Sequence, residues 1–445
     1  MLVVPFMSSA THLKGGYIRI DQSAEASLRY RISLHIFSSL GGVLPGSATS
    51  VLDFGDGQSI TVPAQVPTPI DNNTGLVVYT VEHTYAVFGA YIISYTEPNR
   101  NQGLLNLVGS INIPFYIESF VLADGSTSNF ASPELLTIPI LTAPLRREYN
   151  YGITAVDRSG NLVVYRVEVP EIKGASLANR YSLPENFKVN PFNGMVSWDT
   201  KYKNGYSAGE YLFNVRIFQF KDNILQGYMT LEFTVILRDE PEELLLTHGL
   251  SLDGKNRIFI EKEDQKSFKV LFRSNTPTTL ALDPYTDLNP LHFTFNVYDS
   301  TVYSDYVKVG LLKIRNEVEM VRDHPYIVTI RGTSASEHNF KKDVTFMIFS
   351  KDTDITEIPT IREPDDHEEE KQFRLYPNPA RSTIQIDWPS DGFAEIVFYN
   401  MAGQLVFHGN VASGTRIRLD FLSQGMYLYK VTDGTLSERG KLLKL

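Results

Sequence analysis

The sequence predicts an all-β chain, a run of β-sandwich modules that ends in one further small β-sandwich. Three observations predict it. The 24 Tyr and 26 Phe, with abundant Val, Ile and Thr, favour pleated strands. Apolar and polar residues alternate with period two in many short stretches, whereas no 3.6-residue period persists over three turns. Gly and Pro turn formers separate those stretches at sandwich spacing. A chain of 445 residues has room for roughly three or four domains, each with its own core.

Composition narrows the chemistry. The absence of cysteine removes thiol catalysis, thiolate metal sites and disulfides. A formal net charge of −10 argues against nucleic acid as a partner. No apolar run reaches membrane-spanning length, so no transmembrane span is expected. Residues 1–10 resemble the end of a signal peptide, a short apolar piece followed by small residues at Ser8 and Ala10. The basic segment and most of the apolar core of such a leader are missing, so the remainder is expected upstream of Met1.

In residues 11–122, Leu28, Tyr30, Ile32, Leu34 and Ile36 alternate with polar neighbours, which predicts a half-buried strand. A strand then enters the turn Phe54-Gly55-Asp56-Gly57, and a later block runs His83-Thr84-Tyr85 to Gly89-Ala90-Tyr91. The two blocks resemble the PKD module, an immunoglobulin-like sandwich. Thr11-His12-Leu13-Lys14-Gly15-Gly16 resembles the opening of large surface proteins from the Bacteroidota. Asp56 and His83 could form a catalytic or metal pair, but the resemblance implies that they belong to the fold's own hydrogen-bond framework. Residues 111–118 read as a bridging segment into the next module.

Residues 123–240 carry Ala155-Val156-Asp157-Arg158-Ser159-Gly160-Asn161, then Asn190-Pro191-Phe192-Asn193-Gly194, then Gly209-Glu210-Tyr211. The middle block is a strand, a hairpin turn and a second strand, and the set resembles cadherin-like immunoglobulin modules. Such modules often hold calcium with clustered carboxylates. Here Asp157 is the one carboxylate left in the loop and Arg158 brings in positive charge, so Asp157 is a weak calcium candidate beside a plain surface turn.

Residues 241–350 alternate again, at Phe293, Phe295 and Val297, and resemble no family. Tyr298, Tyr303 and Tyr306 cluster with hydroxylic residues and could stack on sugar rings or form ordinary cross-strand pairs. Residues 351–372 hold nine acidic and three basic residues with prolines, an extended solvated linker. His367-Glu368 begins like a zinc-protease helix, but position 371 is lysine where the second histidine belongs.

Residues 373–445 read as short strands separated by turns at Gly403, Gly414 and Gly425. Tyr376-Pro377-Asn378-Pro379 opens the stretch, Asn400 to Gln404 turns its middle, Gly425-Met426-Tyr427 starts a late strand, and Lys441 to Leu445 closes it. Together these resemble the type A sorting domain of type IX secretion. The resemblance implies that the type IX translocon reads this domain, that the protein passes through the periplasm, and that the domain is often removed afterwards. Tyr376, Pro377, Asn378, Pro379, Gly403, Gly425, Tyr427, Lys441 and Lys444 are the expected sorting residues.

The nine histidines lack metal-ligand spacing, and no P-loop, dinucleotide or nucleophile-elbow motif appears. The expectation is therefore a non-enzymatic, cofactor-free protein of the cell surface or extracellular space, serving adhesion or envelope structure. Surface polysaccharide, lipopolysaccharide or a protein is the expected ligand. Two alternatives stand beside it: an extracellular carbohydrate-binding protein, and an accessory component of the export or gliding apparatus.

Overall fold

The computed structural model describes residues 13–23, 28–42, 44–87, 89–123, 130–158, 160–201, 205–221, 224–249, 257–299, 306–316, 320, 322, 324–350, 373–388, 393–400, 403–432 and 437–445. The leader remnant expected at 1–10, Tyr303 and the linker expected at 351–372 lie outside them. The described chain is built from β-sheets, as its alternation predicts, with one short 3₁₀ turn at Ser110–Asn112.

The first sandwich uses β1 (Leu13–Gln22), β2 (Arg29–Ser39), β3 (Val51–Asp53), β4 (Thr74–Thr84), β5 (Gly89–Glu97) and β6 (Phe115–Ala123). Ile32, Leu34 and Ile36 of β2 face Ile93 and Tyr95 of β5 in its core. Phe115 and Ile117 lie in the same core, so the second half of the bridging segment is a strand of this sandwich.

The second sandwich sets β7 (Glu148–Gly152), β8 (Leu162–Val167), β9 (Phe187–Val189), β10 (Met195–Asp199), β11 (Gly209–Lys221) and β12 (Ile224–Arg238) around the fully buried Trp198. Its indole meets Tyr206, Tyr211 and Phe213 edge-on, an arrangement that the ring quadrupoles favour.

The fifteen-residue β12 joins the two sandwiches. One edge pairs with β11; the other pairs with β6 near Tyr228 and with β1 at Gly15 and Gly16. Hydrogen-bonded order therefore runs β3-β5-β6-β12-β1-β2-β4, one sheet crossing the boundary expected at 122/123. Close approach of backbones explains the glycines. A Cβ on Gly15, whose φ is 137°, would lie 2.0 Å from the Glu232 carbonyl oxygen, and one on Gly16 would lie 2.4 Å from that of His35. Beneath the junction the buried Arg100 guanidinium pairs with Glu232 and donates to the Pro114 and Glu171 carbonyls, each at 3.1 Å.

The third sandwich packs β13 (Leu244–His248), β15 (Gln265–Ser274), β17 (Phe293–Asp299) and β18 (Tyr306–Arg315) against β14 (Arg257–Ile260), β16 (Leu280–Thr286), β19 (Tyr326–Ser334) and β20 (Lys341–Ser350). A buried polar clamp ties it to the second. Arg331 donates two hydrogen bonds to Asp343, at 2.9 and 2.8 Å, and a third to the Ile138 carbonyl at 2.8 Å. Asp343 also accepts the Gly152 N–H at 2.9 Å, and Thr154 donates to Thr329 at 2.7 Å.

The terminal sandwich packs β21 (Arg374–Tyr376), β22 (Thr383–Asp387) and β25 (Thr415–Arg418) against β23 (Phe393–Asn400), β24 (Leu405–Ala412), β26 (Gly425–Thr432) and β27 (Ser437–Lys444). Ile384, Ile386, Ile396, Phe398 and Leu442 fill its core.

Candidate functional site

The opening and closing motifs of the terminal domain meet in space, although Asn378 and Lys441 are 63 residues apart in sequence. The side-chain amide of the exposed Asn378 donates to the Lys441 carbonyl at 2.6 Å, and its oxygen accepts the Leu443 N–H at 2.9 Å. Asn378 thus supplies the donor and acceptor of a missing neighbouring strand. The buried Ala380 continues the seam, donating its N–H to the Leu443 carbonyl and accepting the Leu445 N–H, both at 2.8 Å. The outer edge of β27 is closed by these bonds, which protects it from pairing with another chain. Tyr376, Pro377 and Pro379 stay exposed around the seam. The Tyr376 hydroxyl donates to Asp387, and that bond raises the tyrosine's pKa and lowers the carboxylate's.

Asn378→Ala removes both bonds to β27. Its cost is about 1–2 kcal/mol, the value of two partly solvated hydrogen bonds. The Leu443 amide should then exchange its hydrogen about ten-fold faster, whereas Asn378→Asp, which keeps the acceptor, should fall between. Unchanged exchange in the alanine variant would remove the seam's role.

Gly425 and Tyr427 have a structural job. Gly425 has φ 150° and open space around it, so its backbone angle demands glycine. Two residues on, Tyr427 is buried and donates its hydroxyl to the Ser423 carbonyl at 2.9 Å. The same device occurs twice upstream. Tyr211 donates to Ser207 at 3.1 Å and Tyr91 to Val87 at 2.7 Å, each four residues back and each two residues after a glycine. A tyrosine corner of this kind ties the entering loop to the sandwich. Gly403, with φ 73°, closes the β23–β24 hairpin by donating to the Asn400 carbonyl at 2.9 Å.

The two tail lysines do not act as a pair. Three residues apart on one strand, Lys441 and Lys444 point to opposite faces. Lys441 is exposed on the face that also carries Lys430 and Arg439, which are direct register partners. Lys444 donates to the Leu445 carbonyl at 2.9 Å. Like charges directly opposite each other cost stability, so the basic face is a candidate recognition surface.

The remaining sequence candidates separate. The Asp157 carboxylate accepts the side-chain amides of Asn161, at 2.9 Å, and of Gln219. Among the described residues no three His, Asp or Glu side chains gather as a metal site would need. Asp56 and His83 bond at 2.8 Å, with the imidazole stacked on Phe54 at 4.1 Å, inside the turn itself. Tyr298 and Tyr306 are both exposed, but Tyr298 registers with Val309, an odd number of positions from Tyr306. Strand alternation therefore sends them to opposite faces, and they cannot line one groove.

Residues 374–444 match the family described as the secretion system C-terminal sorting domain. No curated protein matches the chain. The terminal domain indicates an exported protein, extracellular or at the cell surface, delivered by type IX secretion and recognised by that machinery. Among the described residues no helix is long and apolar enough to cross a membrane.

Proposed function

We propose that the chain is a non-enzymatic binding protein of the cell surface or extracellular space, serving adhesion or envelope structure. The sorting domain at its C-terminus carries this reading, because it assigns the upstream sandwiches to a compartment where their ligands are other cells, matrix or envelope polymers. The body's charged chemistry supports it. Its buried acids serve as cross-links, Glu232 with Arg100 and Asp343 with Arg331, and the half-buried Glu118 does the same with Tyr116 at 2.7 Å and Arg216 at 3.2 Å. A general acid or base needs instead to point at a bound substrate. Type IX recognition would use the basic face around Lys441 and the exposed Tyr376-Pro377-Asn378-Pro379 corner, while PKD-like and cadherin-like modules would supply the loops and sheet faces for ligand.

The test is to immobilise the purified full chain and expose it to whole cells, matrix proteins and extracellular polysaccharides. Retention of one of these, recovered chemically unchanged, is expected. Release of reducing ends or peptide fragments would contradict the reading.

A further inference from the structure

One sheet of the third sandwich presents a face whose chemistry differs from that of the acidic chain as a whole. Phe268, Val270 and Phe272 of β15, with Leu312 and Ile314 of β18, point into the core. The alternate positions point outward and are basic at Lys269, Arg273, Lys313 and Arg315, all four exposed. Register aligns them. Arg273 lies beside Val307, Lys269 beside Leu311, Ser267 beside Lys313 and Gln265 beside Arg315. The cations therefore form a stripe along two adjacent strands, spanning eight residue steps or about 27 Å. No outward position on the four strands is acidic. The one acid of β17, Asp299, falls on the inward set and is paired with Lys308.

The rim of the stripe is suited to sugars. On β17 the outward residues are Thr294, Asn296 and Tyr298, in register with Lys313, Leu311 and Val309. Tyr298 is 52% exposed, leaving an aromatic surface against which a sugar ring can pack. The threonine and asparagine supply hydrogen-bond partners for hydroxyls between the charges. On the opposite rim, β13 sets Leu245 and Thr247 beside Arg273 and Leu271.

We propose that this face binds a linear acidic polysaccharide, its carboxylates or sulfates lying along Lys269, Arg273, Lys313 and Arg315 and one sugar packing on Tyr298. The length and single sign of the stripe match an extended polyanion. The chain as a whole carries a net charge of −10, which repels such a polymer from the rest of the surface and focuses it here. The site rests on the reading of the chain as an exported binding protein and gives that reading a ligand class.

The experiment uses the purified full chain with polygalacturonate, neutral dextran and poly-glutamate at physiological salt. Polygalacturonate should bind, more weakly as salt rises, and dextran should not. Lys269→Gln, Lys313→Gln and Arg315→Gln combined should weaken binding at least ten-fold, and Tyr298→Ala several-fold. Lys188→Gln, Lys201→Gln and Lys221→Gln combined, a control with the same charge change at exposed sites of the second sandwich, should leave it unchanged. Absence of polygalacturonate binding, equal binding of dextran, or an unaffected triple variant on the stripe would overturn the site. Poly-glutamate held as tightly would overturn the polysaccharide in favour of an acidic protein. A chain that reaches the cell surface yet ignores polygalacturonate would sink this inference alone.

Discussion

Gly15→Ala should unfold the joint between the first two sandwiches. The added methyl would sit 2.0 Å from the Glu232 carbonyl oxygen and 2.7 Å from the Phe233 Cα, and both obstacles are backbone. Relief requires β1 to leave β12 or the sheet to bend, and the positive φ adds its own strain. The cost should reach about 4 kcal/mol or more, in the range reserved for overpacking combined with a forbidden backbone angle. Gly41→Ala is the matched control, since Gly41 also has positive φ, 74°, but nothing within 4 Å of its Cβ. That variant should lose only about 1 kcal/mol. Hydrogen exchange across β1, β2 and β12 reads the difference, and equal protection in both variants would refute the close-approach account.

Arg331→Leu should release the third sandwich from the second. It leaves the Asp343 carboxylate, 1% exposed, with the Gly152 N–H and no cation. Breaking one partner of a buried ion pair costs about 3–5 kcal/mol. In urea the two sandwiches should then unfold in separate steps, where the intact clamp makes them cooperate. Adding Asp343→Asn removes the stranded charge while keeping an acceptor for Gly152, so the double variant should recover a large part of the loss. A single variant as stable as the parent would show that the clamp contributes little.

Local patterns in the sequence revealed most of the fold. Alternation in stretches such as Leu28 to Ile36 marks strand and buried face at once, and the Gly-x-Tyr starts of three strands are visible as text. Long-range pairing is what the sequence concealed. Gly15-Gly16 reads as a motif, yet its meaning depends on Glu232 and Phe233 far along the chain. Phe115 and Ile117 looked like a bridge because nothing local says which core they enter.

The site shows the same division. Tyr376 to Pro379 and the tail were recognisable as blocks, but their contact through Asn378 spans 63 residues. Gly425 and Tyr427, expected to carry the sorting signal, have a geometry that also serves the sandwich, as that of Gly209 and Tyr211 does upstream. Tyr298 and Tyr306, grouped by proximity in sequence, were separated by register. The cationic stripe could have been found, since Lys269, Arg273, Lys313 and Arg315 all sit at odd steps from core residues. What hid it was the pairing of β15 with β18, which places the two basic sets side by side.

The most direct measurement compares the full chain with one ending at residue 372, both given a complete signal peptide, in a host with type IX secretion. Surface and medium fractions are quantified after cell fractionation. The account predicts that the full chain reaches the surface or medium and that the truncated chain stays in the periplasm. Equal delivery of both would contradict it, leaving the terminal sandwich as one more module of the body.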